Sequence, residues 1–226
     1  MRNPLNRARK PKVLCCLLCG TERQHWINPD LTMMLFRMAK DPRFDVEVAT
    51  VKDAVPYEVA RNHTIQIARD HGFEWLVSFD NDNFMPTATP LDVITVAGPQ
   101  HRVIGLTYGV PTEGKLYNFY PPLQYRSEAD GAFQEVPQVP GGVLIVNRQV
   151  WDKIPRGPWF RWYCGENKET LDRGKGAYGE DTYFCNLVKQ HGFKLWTPRQ
   201  AMAGHYRTTD LTGMVCALSQ MRGPAG

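Results

Sequence analysis

No stretch of this 226-residue chain holds the roughly 18 consecutive apolar residues that a membrane-crossing helix needs, so no transmembrane segment is expected. Internal repeats and low-complexity segments are also lacking, which sets aside solenoids, propellers and fibrous proteins. The six cysteines lack a pattern. Cys16-Leu17-Leu18-Cys19 has the spacing of a zinc knuckle, but no second Cys or His pair completes it. On a strand, positions 16 and 19 point to opposite faces, which opposes joint ligation. Reduced thiols acting as small hydrophobes in a cytosolic protein are expected. Glycine is sparse where a phosphate loop would need it, since Gly20-Thr21-Glu22-Arg23 offers one glycine only.

What is present is the composition of an ordinary globular domain with a full core. The net charge of +4 is modest, yet unevenly spread. Residues 1–12 carry five basic side chains and no acid. Residues 13–147 carry ten basic and sixteen acidic, and residues 148–226 twelve basic and seven acidic. Basic ends around an acidic middle suit a polyanionic partner, and solvated surface charge explains them equally well.

The run from Val13 to Cys19 is continuously apolar and reads as a parallel core strand behind a flexible basic arm. Thr21-Glu22-Arg23 is a poor cleavage site, which argues against a signal peptide. Asn28-Pro29 supplies an N-cap and N1 proline for a helix ending near Asp41-Pro42. Phe44–Thr50 alternates as a strand, Tyr57 to His71 reads as a helix closed by Gly72, and Glu74–Phe79 as a third strand. This β-α-β-α-β order predicts a parallel sheet with crossover helices. Further along, Leu91–Ala97 and Arg148–Lys153 read as short helices, and Arg102–Tyr108 and Gly141–Asn147 as strands. Residues 111–140 read as a meander or hairpin excursion. Residues 155–179 form a charged, aromatic, glycine-hinged loop, either a lid or a surface loop. A helix over Glu180–Gln190 and strands over Phe193–Thr197 and Ala201–Tyr206 complete the pattern.

The third strand runs Trp75-Leu76-Val77-Ser78-Phe79 and ends in Asp80-Asn81-Asp82. Ligands collect beyond the carboxyl ends of strands in open α/β sheets. Two carboxylates one residue apart can offer hard oxygens to one divalent cation, and the same residues are also good turn formers. Gly141-Gly142 precedes a strand, Gly179-Glu180-Asp181 opens a helix, and His205 stands near the end.

Together, these four features resemble the GT-A fold nucleotide-sugar-dependent glycosyltransferases, family-2-like, from about Val13 to Arg207. The resemblance implies an α/β fold: a single Rossmann-like domain whose mixed, mainly parallel sheet is flanked by helices. It implies a basic arm over 1–12, a nucleotide-sugar half over 13–108, an acceptor half over 109–207 and a tail over 208–226. It implies transfer of a sugar from a nucleoside diphosphate sugar, expected to be a UDP-sugar, to an acceptor hydroxyl with Mn²⁺ or Mg²⁺. Asp82 would be the direct metal ligand, Asp80 would reach the ribose or a metal-bound water, and His205 would complete the set. Asp181 would be the general base and Glu180 would orient hydroxyls, although charge at a helix N-terminus explains both residues too. Thr21, Glu22, Lys52, Asp53, Arg61, Asn81, Gly141 and Gly142 would frame the donor. Trp159, Trp162, Arg173 and Lys175 would meet the acceptor: a glycan, a protein side chain or a hydroxylated DNA base of the kind some phage enzymes modify. A cytoplasmic location, the host's if phage-encoded, is expected. The segments Cys19-Gly20-Thr21-Glu22 and Val51-Lys52-Asp53-Ala54 depart from the elements of commoner relatives and leave the base open. A sugar-1-phosphate nucleotidyltransferase and a non-catalytic sugar- or polyanion-binding module stand as alternatives.

Overall fold

A computed structural model describes residues 9–20, 29–52, 54, 56–85, 87–112, 115–120, 131–162 and 179–205, without the side chains of 109–112, 115–120 and 205. Strand β1 (Lys12–Leu18) shows why the sequence folds as it does. Its side chains alternate between two cores: Val13, Cys15 and Leu17 enter one, Leu14 and Cys16 the other. Cys16 and Cys19 fall in different cores, so they face apart as a strand requires. A strand buried on both faces must be apolar throughout, and this one is.

Helix α1 (Pro29–Ala39) leads to β2 (Asp45–Val51), and α2 (Tyr57–Asp70) leads to β3 (Trp75–Asp80). Strand β1 pairs in parallel with both β2 and β3. The expected β-α-β-α-β unit therefore forms, with β1 at its centre. Next come β4 (Asn83–Phe84), α3 (Pro90–Val96) and β5 (Val103–Gly105). Strands β6 (Tyr108–Thr112) and β7 (Lys115–Tyr120) form an antiparallel hairpin. They are followed by β8 (Phe133–Val136), β9 (Val143–Asn147), α4 (Arg148–Lys153), α5 (Glu180–Gln190), β10 (Leu195–Pro198) and β11 (Gly204–His205).

Seven strands share one sheet in the order β2-β1-β3-β9-β5-β10-β8. Strand β9 is antiparallel to both its neighbours, β3 and β5, and β8 is antiparallel to β10. The other five strands run one way, so the sheet is mixed and mainly parallel. The strand expected over Arg102–Tyr108 is two elements. Strand β5 stops at Gly105, Thr107 bridges to Met202, and Tyr108 begins the hairpin. Gly105 marks the break, because a Cβ there would lie 2.5 Å from the Val139 side chain.

The two cores lie on opposite faces of the sheet. Leu31, Met34 and Met38 of α1 and Leu91, Val93 and Ile94 of α3 fill one. Ile65 and Ala68 of α2, Val150 and Trp151 of α4, and Phe184, Cys185 and Val188 of α5 fill the other. Each fully buried large apolar side chain contributes about 1.5–3 kcal/mol, so Phe79, Phe184 and Trp151 are among the anchors of the scaffold. Among the described residues no helix is long and apolar enough to cross a membrane.

Candidate active site

The parallel strands end side by side. Leu18 is in register with both Val51 and Asp80. The Asn81 N–H donates to Leu18 O at 3.1 Å, and the Asp80 N–H donates to Gly142 O at 2.9 Å. Asp80, Asn81 and Gly142 thus share one edge. Lys52 lies just past β2 on that edge and is exposed. Thr21, Glu22 and Asp53 lie outside the described residues.

Arg61 ties this edge together from below. It projects from α2 and is only 3% exposed. Nη2 donates to Asp80 Oδ1 at 2.9 Å and to Oδ2 at 3.2 Å, while Nη1 donates to Gly141 O at 3.0 Å. Nε makes no hydrogen bond and lies 3.5 Å from Glu180 Oε1. The rings of Tyr57 and Phe160 each sit 6.0 Å from the guanidinium carbon, within cation–π range. Burial works against this charge, but Asp80 and Glu180 outweigh it and hold the guanidinium protonated. The same burial, helped by Asp82, pushes the Asp80 carboxyl above the ordinary range while Arg61 pulls it back. Gly141 is glycine for a steric reason: a Cβ would lie 2.7 Å from Arg61 Nη2.

Glu180 and Asp181 occupy the first turn of α5, where the helix dipole favours carboxylates. The dipole does not decide the outcome at Asp181. Burial first, then the charge of Glu180, raise its carboxyl above the ordinary aspartate range, against the Thr182 N–H that donates to Oδ1 at 2.7 Å. Tyr108 stands between the two acidic groups. Its hydroxyl is pushed upward by burial, then by Asp80 and Asp181. The Tyr108 ring also explains Gly142, where a Cβ would lie 2.9 Å from it. Tyr57 is raised likewise by burial and then by Asp80 and Asp82.

Asp82 accepts a 2.6 Å hydrogen bond from Nδ2 of Asn83, which is buried. Strands β4 and β11 then pair antiparallel, with His205 in register with Asn83 and Gly204 with Phe84. Close approach demands Gly204, since a Cβ would come within 2.6 Å of the Phe84 ring. The backbone of His205 is therefore one residue from the Asp82 position across a strand pair, while its side chain lies outside the described set. Among the described residues no three of His, Cys, Asp or Glu converge as a ready metal site. Asp82 brings carboxylate oxygens, the donor type that a hard divalent cation takes. Asn83 Oδ1 remains buried beside them without a hydrogen-bond partner.

The two expected acceptor tryptophans part company. Trp159 is 3% exposed and its indole N–H donates to Ile154 O at 2.9 Å, so the fold uses it as core. Trp162 is 53% exposed. Its ring lies 3.8 Å from where a Gly179 Cβ would stand, beside Asp181. Asn62 sets this arrangement. Its Oδ1 accepts from Trp159 N at 2.7 Å and Phe160 N at 3.0 Å, and its Nδ2 donates to Phe160 O at 2.7 Å. Arg173 and Lys175 lie outside the described residues. Tyr57, Asn83, Tyr108 and Phe160 pack against the site residues, and sequence reasoning gave them no role there. Tyr108 was within reach, because it closes the segment read as the fourth strand and the strand-end rule applies to it.

The architecture is α/β: a mixed, mainly parallel sheet with a core and helices on each face, and Asp80, Asn81 and Gly142 gathered at one edge. No protein-family profile matches the chain, and no curated protein matches it. Among solved structures, it is similar to A197 from STIV, with a TM-score of 0.55 and 16% identity over 87% of this chain and 86% of that one. At that identity the likeness is one of fold. Weaker alignments reach GalNAc-T7 with UDP, GalNAc and Mn²⁺, at a TM-score of 0.47 and 14% identity over 89% of this chain and 45% of that one. They also reach a glycosyltransferase involved in glycosylating the major capsid of PBCV-1, at 0.42 and 12% over 93% of this chain and all of that one.

Proposed function

We propose that this chain is a metal-dependent glycosyltransferase that moves a sugar from a nucleoside diphosphate sugar, a UDP-sugar, to an acceptor hydroxyl on a glycan or a hydroxylated DNA base. One observation carries the reading. A buried guanidinium bonds the Asp80 carboxylate and lies 3.5 Å from Glu180, so the Asp-x-Asp strand end and the Glu-Asp helix start lie side by side. Sugar transfer needs these two elements together, one for the departing diphosphate and one for the attacking hydroxyl.

Asp82 and His205 would hold the cation, with Asp80 turned toward the ribose. When bound, Mn²⁺ or Mg²⁺ neutralises the charge that develops on the leaving diphosphate. Lys52 and Asn81 lie along the same edge and would frame the nucleotide. Asp181 takes the proton of the acceptor hydroxyl as that oxygen bonds to the anomeric carbon. The bond from that carbon to the β-phosphate oxygen breaks, and its electron pair leaves with the nucleoside diphosphate. Direct displacement of this kind inverts the anomeric centre. A general base works best with a pKa near the working pH, and the upward shift at Asp181 moves it that way. Trp162 offers an exposed ring beside Asp181 on which a sugar face or a base can stack.

The test is a panel of nucleoside diphosphate sugars with and without Mn²⁺, read as release of nucleoside diphosphate. Metal-dependent release from one or more donors, lost in Asp82→Ala, is expected. Silence across the whole panel contradicts the reading. For the acceptor, binding that falls steeply with salt marks DNA, and salt-independent binding marks a neutral glycan.

A further inference from the structure

Arg61 occupies a slot built around it. Gly141 yields the space a Cβ would fill, and the Tyr57 and Phe160 rings lie to either side. Phe160 is itself stacked on Phe184 of α5 at 4.5 Å and pinned by Asn62. An arginine that gripped a donor phosphate would present its fork to the cleft. Here Nη1 and Nη2 are engaged by Gly141 O and Asp80. Nε is buried, without a hydrogen bond, and faces Glu180.

We propose that Arg61 is a positioning residue, a strut that fixes the separation between the Asp-x-Asp strand end and the start of α5, and does not contact the donor. The proposal rests on the glycosyl-transfer reading for its kinetic meaning, though the strut itself is a statement about the fold. Asp80 belongs to the half that holds the donor and Glu180 to the half that holds the acceptor. The catalytic geometry depends on both halves at once. A guanidinium is suited to this because its planar donors reach several acceptors from one rigid group. Lysine keeps the charge but offers a single point.

The experiment compares Arg61→Lys, Glu180→Gln and the double variant on the donor the panel identifies. Arg61→Lys is expected to lower kcat on the order of 100-fold, the cost of a misplacement of about 1 Å, with donor KM essentially unchanged. The double variant should lose little more than the worse single variant, because both break the same strut. A donor KM that rises while kcat holds, additive losses, or an unchanged kcat in Arg61→Lys each overturn the proposal. Amide hydrogen exchange gives an answer without turnover. Arg61→Lys should speed exchange at Asn81 and at Tyr183 together, and a change at only one of them contradicts the strut. If Arg61→Lys does not fold, Glu180→Gln carries the same test. Faster exchange at Asn81, which the strut links to Glu180 through Asp80 and Arg61, supports the strut, and unchanged exchange there overturns it. A wild type that turns over no donor removes the glycosyltransferase reading and leaves the exchange result to decide the strut.

Discussion

Asp80 and Asp181 are both pushed above the ordinary carboxylate range by burial, yet the protein treats them differently. At the end of β3, Asp80 has both oxygens bonded to a buried guanidinium. At the start of α5, Asp181 accepts from a backbone N–H of its own helix, with Glu180 raising it further. The β3 carboxylate is thus fixed in place and partly compensated, and the α5 carboxylate is left able to take up a proton. Holding a nucleotide calls for the first treatment, and removing a proton from a hydroxyl calls for the second.

The largest effect that tests this contrast is Asp181→Asn. Loss of the proton acceptor should lower kcat by about 10²–10⁴-fold in steady-state assays, with donor KM little changed. The same variant should be more heat-stable at neutral pH. A carboxyl whose folded pKa is raised favours folding below its unfolded pKa, and that contribution is lost as pH rises through the folded value. Asparagine removes the charged form while keeping an oxygen for Thr182, so a thermal melt at pH 7 should move upward.

Next in size is Gly141→Ala. Its Cβ would lie 2.7 Å from Arg61 Nη2, so the guanidinium must shift and the protein should lose about 1–3 kcal/mol in denaturant unfolding. The pH dependence of kcat/KM sharpens the contrast further. Its acid limb should lie above the ordinary aspartate range and rise with pH as Asp181 ionises, and a limb at an ordinary aspartate value would break the assignment. The smallest effect on the fold is Trp162→Ala. An exposed ring should leave stability within about 0.5 kcal/mol. Acceptor KM should rise about tenfold, the worth of one stacking contact.

The N-terminal β-α-β-α-β half was the more legible in the sequence. Its strands and helices follow one another locally, and strand β1 is buried on both faces, so a plain apolar run was enough to find it. The helix Glu180–Gln190 was also plain, from Tyr183/Phe184 and Leu187/Val188 on one face and its Gly192 stop. The antiparallel insertion of β9 between β3 and β5 was not, because side-by-side order depends on pairings distant along the chain. Trp159 and Trp162 could not be told apart for a similar reason. A loop has no period to say which side chain turns inward, and the deciding contacts come from Asn62, about a hundred positions earlier. Gly141-Gly142 was visible as a motif, but its cause, the Arg61 and Tyr108 side chains, required the fold. Arg61 itself was read as a donor ligand because the family resemblance implies a donor-facing basic or polar residue there, with a solvated helix face as the alternative. Only the packing shows its fork engaged within the protein.

The most direct measurement is a calorimetric titration of UDP in the presence of Mn²⁺ against wild type, Asp82→Ala and Asp181→Asn. Two carboxylates with separate roles predict that Asp82→Ala loses metal-dependent binding while Asp181→Asn binds as wild type does. Equal loss in both variants, or wild-type binding that is the same with and without Mn²⁺, would contradict the account.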